Sequence, residues 1–263
     1  ARPAATKEFD KLKDLKHELT GEDREDFHKY DGPFYTEILK KRELNIDDEL
    51  LRPYFKLENV IDGVFEVAKR LYGISFKQVD VPVYHKDVMA YEVTDEKGKF
   101  VGLFYADFFP RDTKRPGAWM TDLRAQGLQH GEIKRPFVAI VCNFTKPTGS
   151  KPSLLTLDEV MTLFHEFGHS LHGLLSNVHY RAKSGTSVYW DFVELPSQIM
   201  ENWVLEKECL DIFAKHYETG EKIPQEYVDK IRESQTFLEG MGTLRQLSFA
   251  FLDMAFHSAN PDD

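Results

Sequence analysis

The stretch TLFHEFGHSLHG, from Thr162 to Gly173, places His165, Glu166, His169 and His172 within eight positions of an otherwise apolar run. On a helix, residues four apart share one face, so His165 and His169 can direct both imidazoles at a single tetrahedral zinc ion. Glu166 stands one step round the same helix and can set its carboxylate over a water held there, as a general base. A lone histidine in such a run is most simply a hydrogen-bonded core residue. The complete His-Glu-x-x-His pattern is not, and Glu166 has no purely structural purpose beside His165. The pattern therefore predicts hydrolytic chemistry with one Zn2+ per chain.

His172 falls on the same face, but three ligands from one rod lie nearly in line and cannot complete a tetrahedron. A supporting or substrate-side role is expected for it. The metzincin pattern asks for glycine at position 172 and histidine at 175, where this chain has His172 and Leu175, so that subclass is excluded.

The elements that must position these groups are legible nearby. Thr156-Leu157-Asp158-Glu159 has the form of a capping box and opens an apolar-periodic run that reaches Leu175, which puts the histidines inside a helix. The remaining ligand is expected from a carboxylate on a second helix. The stretch WDFVELPSQIMENW supplies Asp191, Glu194 and Glu201, and Asp191 with Glu194 reads as a second capping box opening a helix to about Thr219. Glu194 and Glu201, seven apart, face the same way. On physical grounds they remain rivals, one as ligand and the other as acceptor of a ligand's second ring N–H.

Residues 1–75 read as helical: Phe9, Leu12, Leu15 and Leu19 recur at helical spacing, as do Val60, Val64, Val67 and Leu71, with Gly73 as a stop. Between about Val79 and Phe144 the pattern changes to short apolar runs, VPVYH, MAYEV, KFVGLFYADFF and FVAIVCNF, separated by turn residues. Helical periodicity resumes at Thr156, is interrupted by a strand-like YRAKSGTSVYW, and continues to about residue 258. The class is α+β and predominantly helical, with a small, mostly antiparallel sheet beside the zinc-binding helices. The expected division is a helical lead-in over 1–78, a sheet over 79–150 and zinc-binding helices over 151–263.

A chain of 263 residues can bury a substantial core, and 41% hydrophobic with 30% charged residues is ordinary for a globular protein. The net charge of −10 argues against nucleic acid as a partner. No apolar run approaches the roughly 20 residues needed to span a bilayer, so no membrane partner is expected. Cys142 and Cys209 are too few for a disulfide framework and read as buried thiols in a reducing, cytoplasmic setting. His17, His28, His85, His130, His179, His216 and His257 show no ligand spacing. A monomer is expected.

FHEFGHSLH, followed 25 residues after His169 by the glutamate of DFVELPSQIMENW, resembles the thimet-oligopeptidase family of zinc metallopeptidases. LRPYFKLENVIDGVF, GAWMTD and SGTSVYWDFVELPSQ are similar to its bacterial peptidyl-dipeptidase branch, and the resemblance runs from about residue 30 to 258. It implies a zincin-like catalytic core with Glu194 as third ligand and Glu201 supporting, Glu166 as base, and short peptides as substrates. Release of C-terminal dipeptides is the implied action, with oligo-endopeptidase action as the alternative. Family members are longer, with a helical wall before this region and a His- and Tyr-bearing segment after it. The resemblance thus implies a partial catalytic domain, truncated at both ends, which makes a zinc- and peptide-binding module with little activity a competing expectation.

KSGTSVYW invites two readings: a Gly185-containing strand beside which a substrate backbone adds, or a tight turn at Ser184-Gly185. Tyr180 and Tyr189 are substrate candidates, although an aromatic is more often core.

Overall fold

The structure, a computed structural model, describes residues 1–45 and 48–260. In chain order the helices before the sheet are α1 (Arg2–Thr20), α2 (Asp31–Leu44), α3 (Asp48–Leu51) and α4 (Leu57–Tyr72). The strands are β1 (Ser75–Gln78), β2 (Met89–Thr94), β3 (Phe100–Asp107), β4 (Trp119–Arg124), β5 (Gly127–Gln129), β6 (Glu132–Lys134) and β7 (Phe137–Val141). After them come α5 (Leu157–Leu174), α6 (Trp190–Val193), α7 (Leu195–Glu201), α8 (Lys207–Phe213), α9 (Gln225–Ser234) and α10 (Glu239–Ser258). About half of the described residues are helical and the main sheet is small and mostly antiparallel.

Two compact units divide the described residues. The first joins the residues up to Asn45 with those from Asp229 onward. Its core is Leu12, Leu15, Tyr35 and Leu39, against which Phe27, Ile38, Phe237 and Met241 pack. Of the helical stripe on α1, Leu12 and Leu15 are buried while Phe9 and Leu19, one turn further out at each end, are partly exposed.

The second unit, Asp48–Val228, contains the sheet and α5. Strand order is β1-β2-β3-β7-β4, with β3 and β7 the one parallel pair and β4 at the edge. On α4, Val60, Val64 and Val67 are buried, and Gly73 ends the helix at φ 67°, a left-handed conformation that glycine enters without a Cβ penalty. Phe65 of α4 stacks on Phe76 of β1 at 4.2 Å, and Phe167 of α5 meets Phe104 of β3 edge to face at 5.5 Å. Phe167 is fully buried, an anchor worth roughly 1.5–3 kcal/mol.

Helix α5 begins with the capping box: Glu159 N–H donates to Thr156 Oγ1 (3.1 Å) and Thr156 N–H to Glu159 Oε2 (2.8 Å). Its buried stripe of Val160, Phe164, Phe167, Leu171 and Leu174 has the spacing of a core-facing helix. At the other end Arg135 donates to the carbonyl of Leu174 (2.7 Å), an acceptor that the helix terminus leaves open, and to those of Ser176 (2.9 Å) and of Val101 in β3 (2.7 Å). The metal-ligand candidates thus sit on a helix fixed at both ends.

Three local expectations are corrected. VPVYH is not a strand: Pro82 cannot donate to a ladder, and Ser75–Gln78 forms the edge instead. YRAKSGTSVYW is a 3-10 turn at Arg181–Lys183 followed by irregular chain, because Gly185 takes φ 54° and its N–H is tied to Ser176 Oγ at 2.7 Å. Nor does one helix run from Asp191 to Thr219. Tyr189 caps α6 without a side-chain bond, and Pro196, tolerated only in a first turn, makes the chain restart as α7 after Glu194. Cys142 and Cys209 are free and buried. No described helix is long and apolar enough to cross a membrane.

Candidate metal centre

On α5, His165 and His169 stand with ring centroids 4.9 Å apart and planes nearly perpendicular. Glu194 reaches them from the break between α6 and α7. Its Oε2 lies 3.3 Å from His165 Nε2 and 3.1 Å from His169 Nε2. One donor atom from each of the three falls within 4.8 Å of the others. Two imidazoles and a carboxylate converging in this way are a donor set suited to zinc, with room for a further ligand.

The surroundings prepare each donor. His165 donates from Nδ1 to Glu201 Oε1 at 2.6 Å, which fixes the ring with Nε2 toward Glu194. Burial outweighs the nearby Glu194 charge and holds His169 below the usual imidazole range, hence neutral, the form that ligates. For Glu194, burial pushes the pKa up, but the Ser197 hydroxyl and the two histidines more than offset it and keep the carboxylate ionised.

Glu166 is buried, and its Oε2 has no hydrogen-bond partner. Burial pushes its carboxyl up to about 7, opposed by His165 and assisted by the Glu194 charge. A cation among the three donors would act against that rise. Glu166 and His165 border two clefts: one of about 420 Å³ shared with Thr162 and Glu201, and one of about 360 Å³ shared with His169, Glu194, Thr186 and Met120. Met120 comes from edge strand β4, which brings the sheet to the rim of the site.

The other candidates lie around this group. His172 is outside the donor cluster, half-buried, with its ring 6.2 Å from that of Phe192 and a buried Nδ1 lacking a partner. Gly185 is packed on α5: a β-carbon there would stand 3.1 Å from the Cα of Gly173. Tyr180 and Tyr189 are 72% and 89% exposed, so the expectation that such aromatics close the core does not hold for either. Asp191 is exposed and caps no helix. Reading the sequence does not single out Ser197, Gly168 or Met120. The signal for Ser197 is its place three residues after Glu194, where a serine hydroxyl can turn back on the preceding turn.

The whole chain, residues 1–263, matches the model of peptidase family M3. It is 43% identical over 261 residues to Oligopeptidase A of Escherichia coli (strain K12), an alignment covering 98% of this chain and 38% of that protein. Dipeptidyl carboxypeptidase of the same organism is 42% identical over 230 residues, covering 87% of this chain and 34% of that protein. Thimet-like oligopeptidase of Dictyostelium discoideum is 38% identical over 277 residues, covering 98% and 40%. The chain therefore spans well under half the length of these relatives.

Proposed function

The chain belongs to peptidase family M3, and from that premise we propose that it supplies the zinc-binding part of an enzyme that hydrolyses peptide bonds in short peptides. The observation that carries this reading is the convergence of His165, His169 and Glu194 beside a buried, unpartnered Glu166. His165, His169 and Glu194 would hold the ion, with Glu201 orienting His165. When bound there, zinc supplies Lewis acidity toward a substrate carbonyl and acidifies water.

Glu166 takes the proton of the attacking water on its carboxylate and returns it to the leaving amine, so the carboxylate ends the cycle as it began. His172, Gly185 and Tyr189 belong to the rim in this proposal, toward substrate rather than metal. The whole chain is read as part of a zincin-like catalytic domain; the expected boundary at residue 78 moves, since Ser75–Gln78 already belongs to the sheet, and the helices from Asp229 onward group with the N-terminal helices rather than with α5.

We favour release of C-terminal dipeptides, in keeping with the dipeptidyl carboxypeptidase similarity, with internal cleavage of oligopeptides as the second reading, favoured by the Oligopeptidase A similarity. Incubation with a blocked-N-terminus pentapeptide and mass analysis of the products separates them. A C-terminal dipeptide as first product supports the former and internal products the latter. No cleavage by a zinc-loaded chain leaves the binding-module reading.

A further inference from the structure

Of the three converging donors, Glu194 is the least constrained. His165 and His169 sit on an 18-residue helix capped at its start, and His165 is further held by Glu201. Glu194 stands between two short helices, with its side chain 48% exposed. A glutamate fixed in one rotamer gives up side-chain conformational freedom, which some contact must offset.

Ser197 supplies such a contact. It is fully buried and its hydroxyl lies 2.7 Å from Glu194 Oε2, the same oxygen that faces both imidazole Nε2 atoms. The hydroxyl also lies 2.9 Å from the Glu194 carbonyl oxygen. It has one hydrogen to give, and a carboxylate is the stronger acceptor. The carbonyl does not depend on it, since Gln198 N–H already donates there at 2.9 Å. The origin of the hydroxyl is fixed too: a β-carbon on Gly168 would meet Ser197 Cα at 2.6 Å, so this point of α7 lies directly on the backbone of α5.

We infer that Ser197 is a positioning residue that holds Glu194 Oε2 toward the metal. The inference rests on the metal reading above and goes beyond it, because it assigns the orientation of the third ligand to a residue that touches neither metal nor substrate.

The test is zinc affinity, measured by competition with a chromophoric chelator, on the unaltered chain, Ser197→Ala, Glu194→Ala and the double variant, with the melting temperature of each metal-free form. Supporting contacts to metal ligands typically contribute 10- to 100-fold in affinity. Ser197→Ala is therefore expected to weaken zinc by about 10-fold or more while the metal-free melting temperature stays near that of the parent. In the Glu194→Ala background the same change is expected to do almost nothing, because the group it holds is gone. Equal loss in both backgrounds, or affinity unchanged in Ser197→Ala, overturns the inference and leaves the metal reading standing. An unaltered chain that takes up no zinc overturns both.

Discussion

A β-carbon on Gly168 would stand 2.4 Å from the carbonyl oxygen of Pro196. Backbone therefore meets backbone where α5 passes α7, and this close approach lets Glu194, two residues before Pro196, reach histidines on the neighbouring helix.

Gly168→Ala should separate the two helices, since the obstructing atom belongs to backbone and cannot rotate away. Overpacking of this kind typically costs about 1–3 kcal/mol, against the small gain alanine brings to a helix. The expected outcome is a lower melting temperature together with weaker zinc binding, measured on one sample. Undiminished zinc affinity would show that Glu194 does not depend on this approach.

Glu194→Gln should weaken zinc more than Glu201→Gln does. On the proposed reading the first removes the anionic ligand, whereas the second removes the acceptor that orients His165 and should cost about 10- to 100-fold. His165→Ala, which deletes a proposed ligand outright, should lose stoichiometric zinc. Metal analysis after dialysis against a graded chelator series orders the three variants. The reverse order for the glutamates would exchange their roles.

Glu166→Gln keeps the shape of the side chain and removes its basicity. Because Glu166 is not among the converging donors, zinc content should be unchanged, while any peptide cleavage falls by about 100- to 10,000-fold, the usual contribution of a general base. Cleavage rates compared at equal zinc occupancy decide it, and a rate within a few-fold of the parent would remove Glu166 from the mechanism.

Away from the site, fully buried Asp107 accepts from Arg111 through both guanidinium NH2 groups (2.9 Å each), from Lys114 (2.9 Å) and from Tyr84 (3.1 Å). Burial pushes its pKa up, but the Arg111 and Lys114 bonds outweigh that and hold it below the usual carboxylate range. A depressed carboxylate contributes stability that is present above its unfolded pKa of about 3.9 and is lost as pH falls through the lower folded value. Lys114, held below its ordinary range by burial, affects only the alkaline side. Asp107→Asn should therefore cost roughly 3–5 kcal/mol near neutrality, as breaking a buried pair does, and less at pH 2. Denaturant titrations at both pH values check this, and an equal loss at the two would assign the effect to packing instead.

The chemistry-bearing part of this protein was legible in one dimension because it is local. A capping box, a 3.6-residue repeat and two histidines four apart determine a helix with both imidazoles on one face, whatever surrounds it. The left-handed stop at Gly73 and the strands around MAYEV, KFVGLFYADFF and FVAIVCNF are local in the same sense, since each follows from a single residue's allowed φ or from composition over a short window. What joins residues distant in sequence had no such signature. Glu194 and Glu201 were equivalent by periodicity, and their separation in space depends on Pro196 breaking the helix between α6 and α7. That break places Glu194 at the imidazole Nε2 atoms and Glu201 at His165 Nδ1. Gly185 read equally well as strand or turn until its contact with Gly173 fixed a positive φ. Ser197, Met120 and the Gly168–Pro196 approach emerge only when α7 and β4 are packed on α5, because a hydroxyl, a thioether or a missing β-carbon acquires its role from the atom it faces.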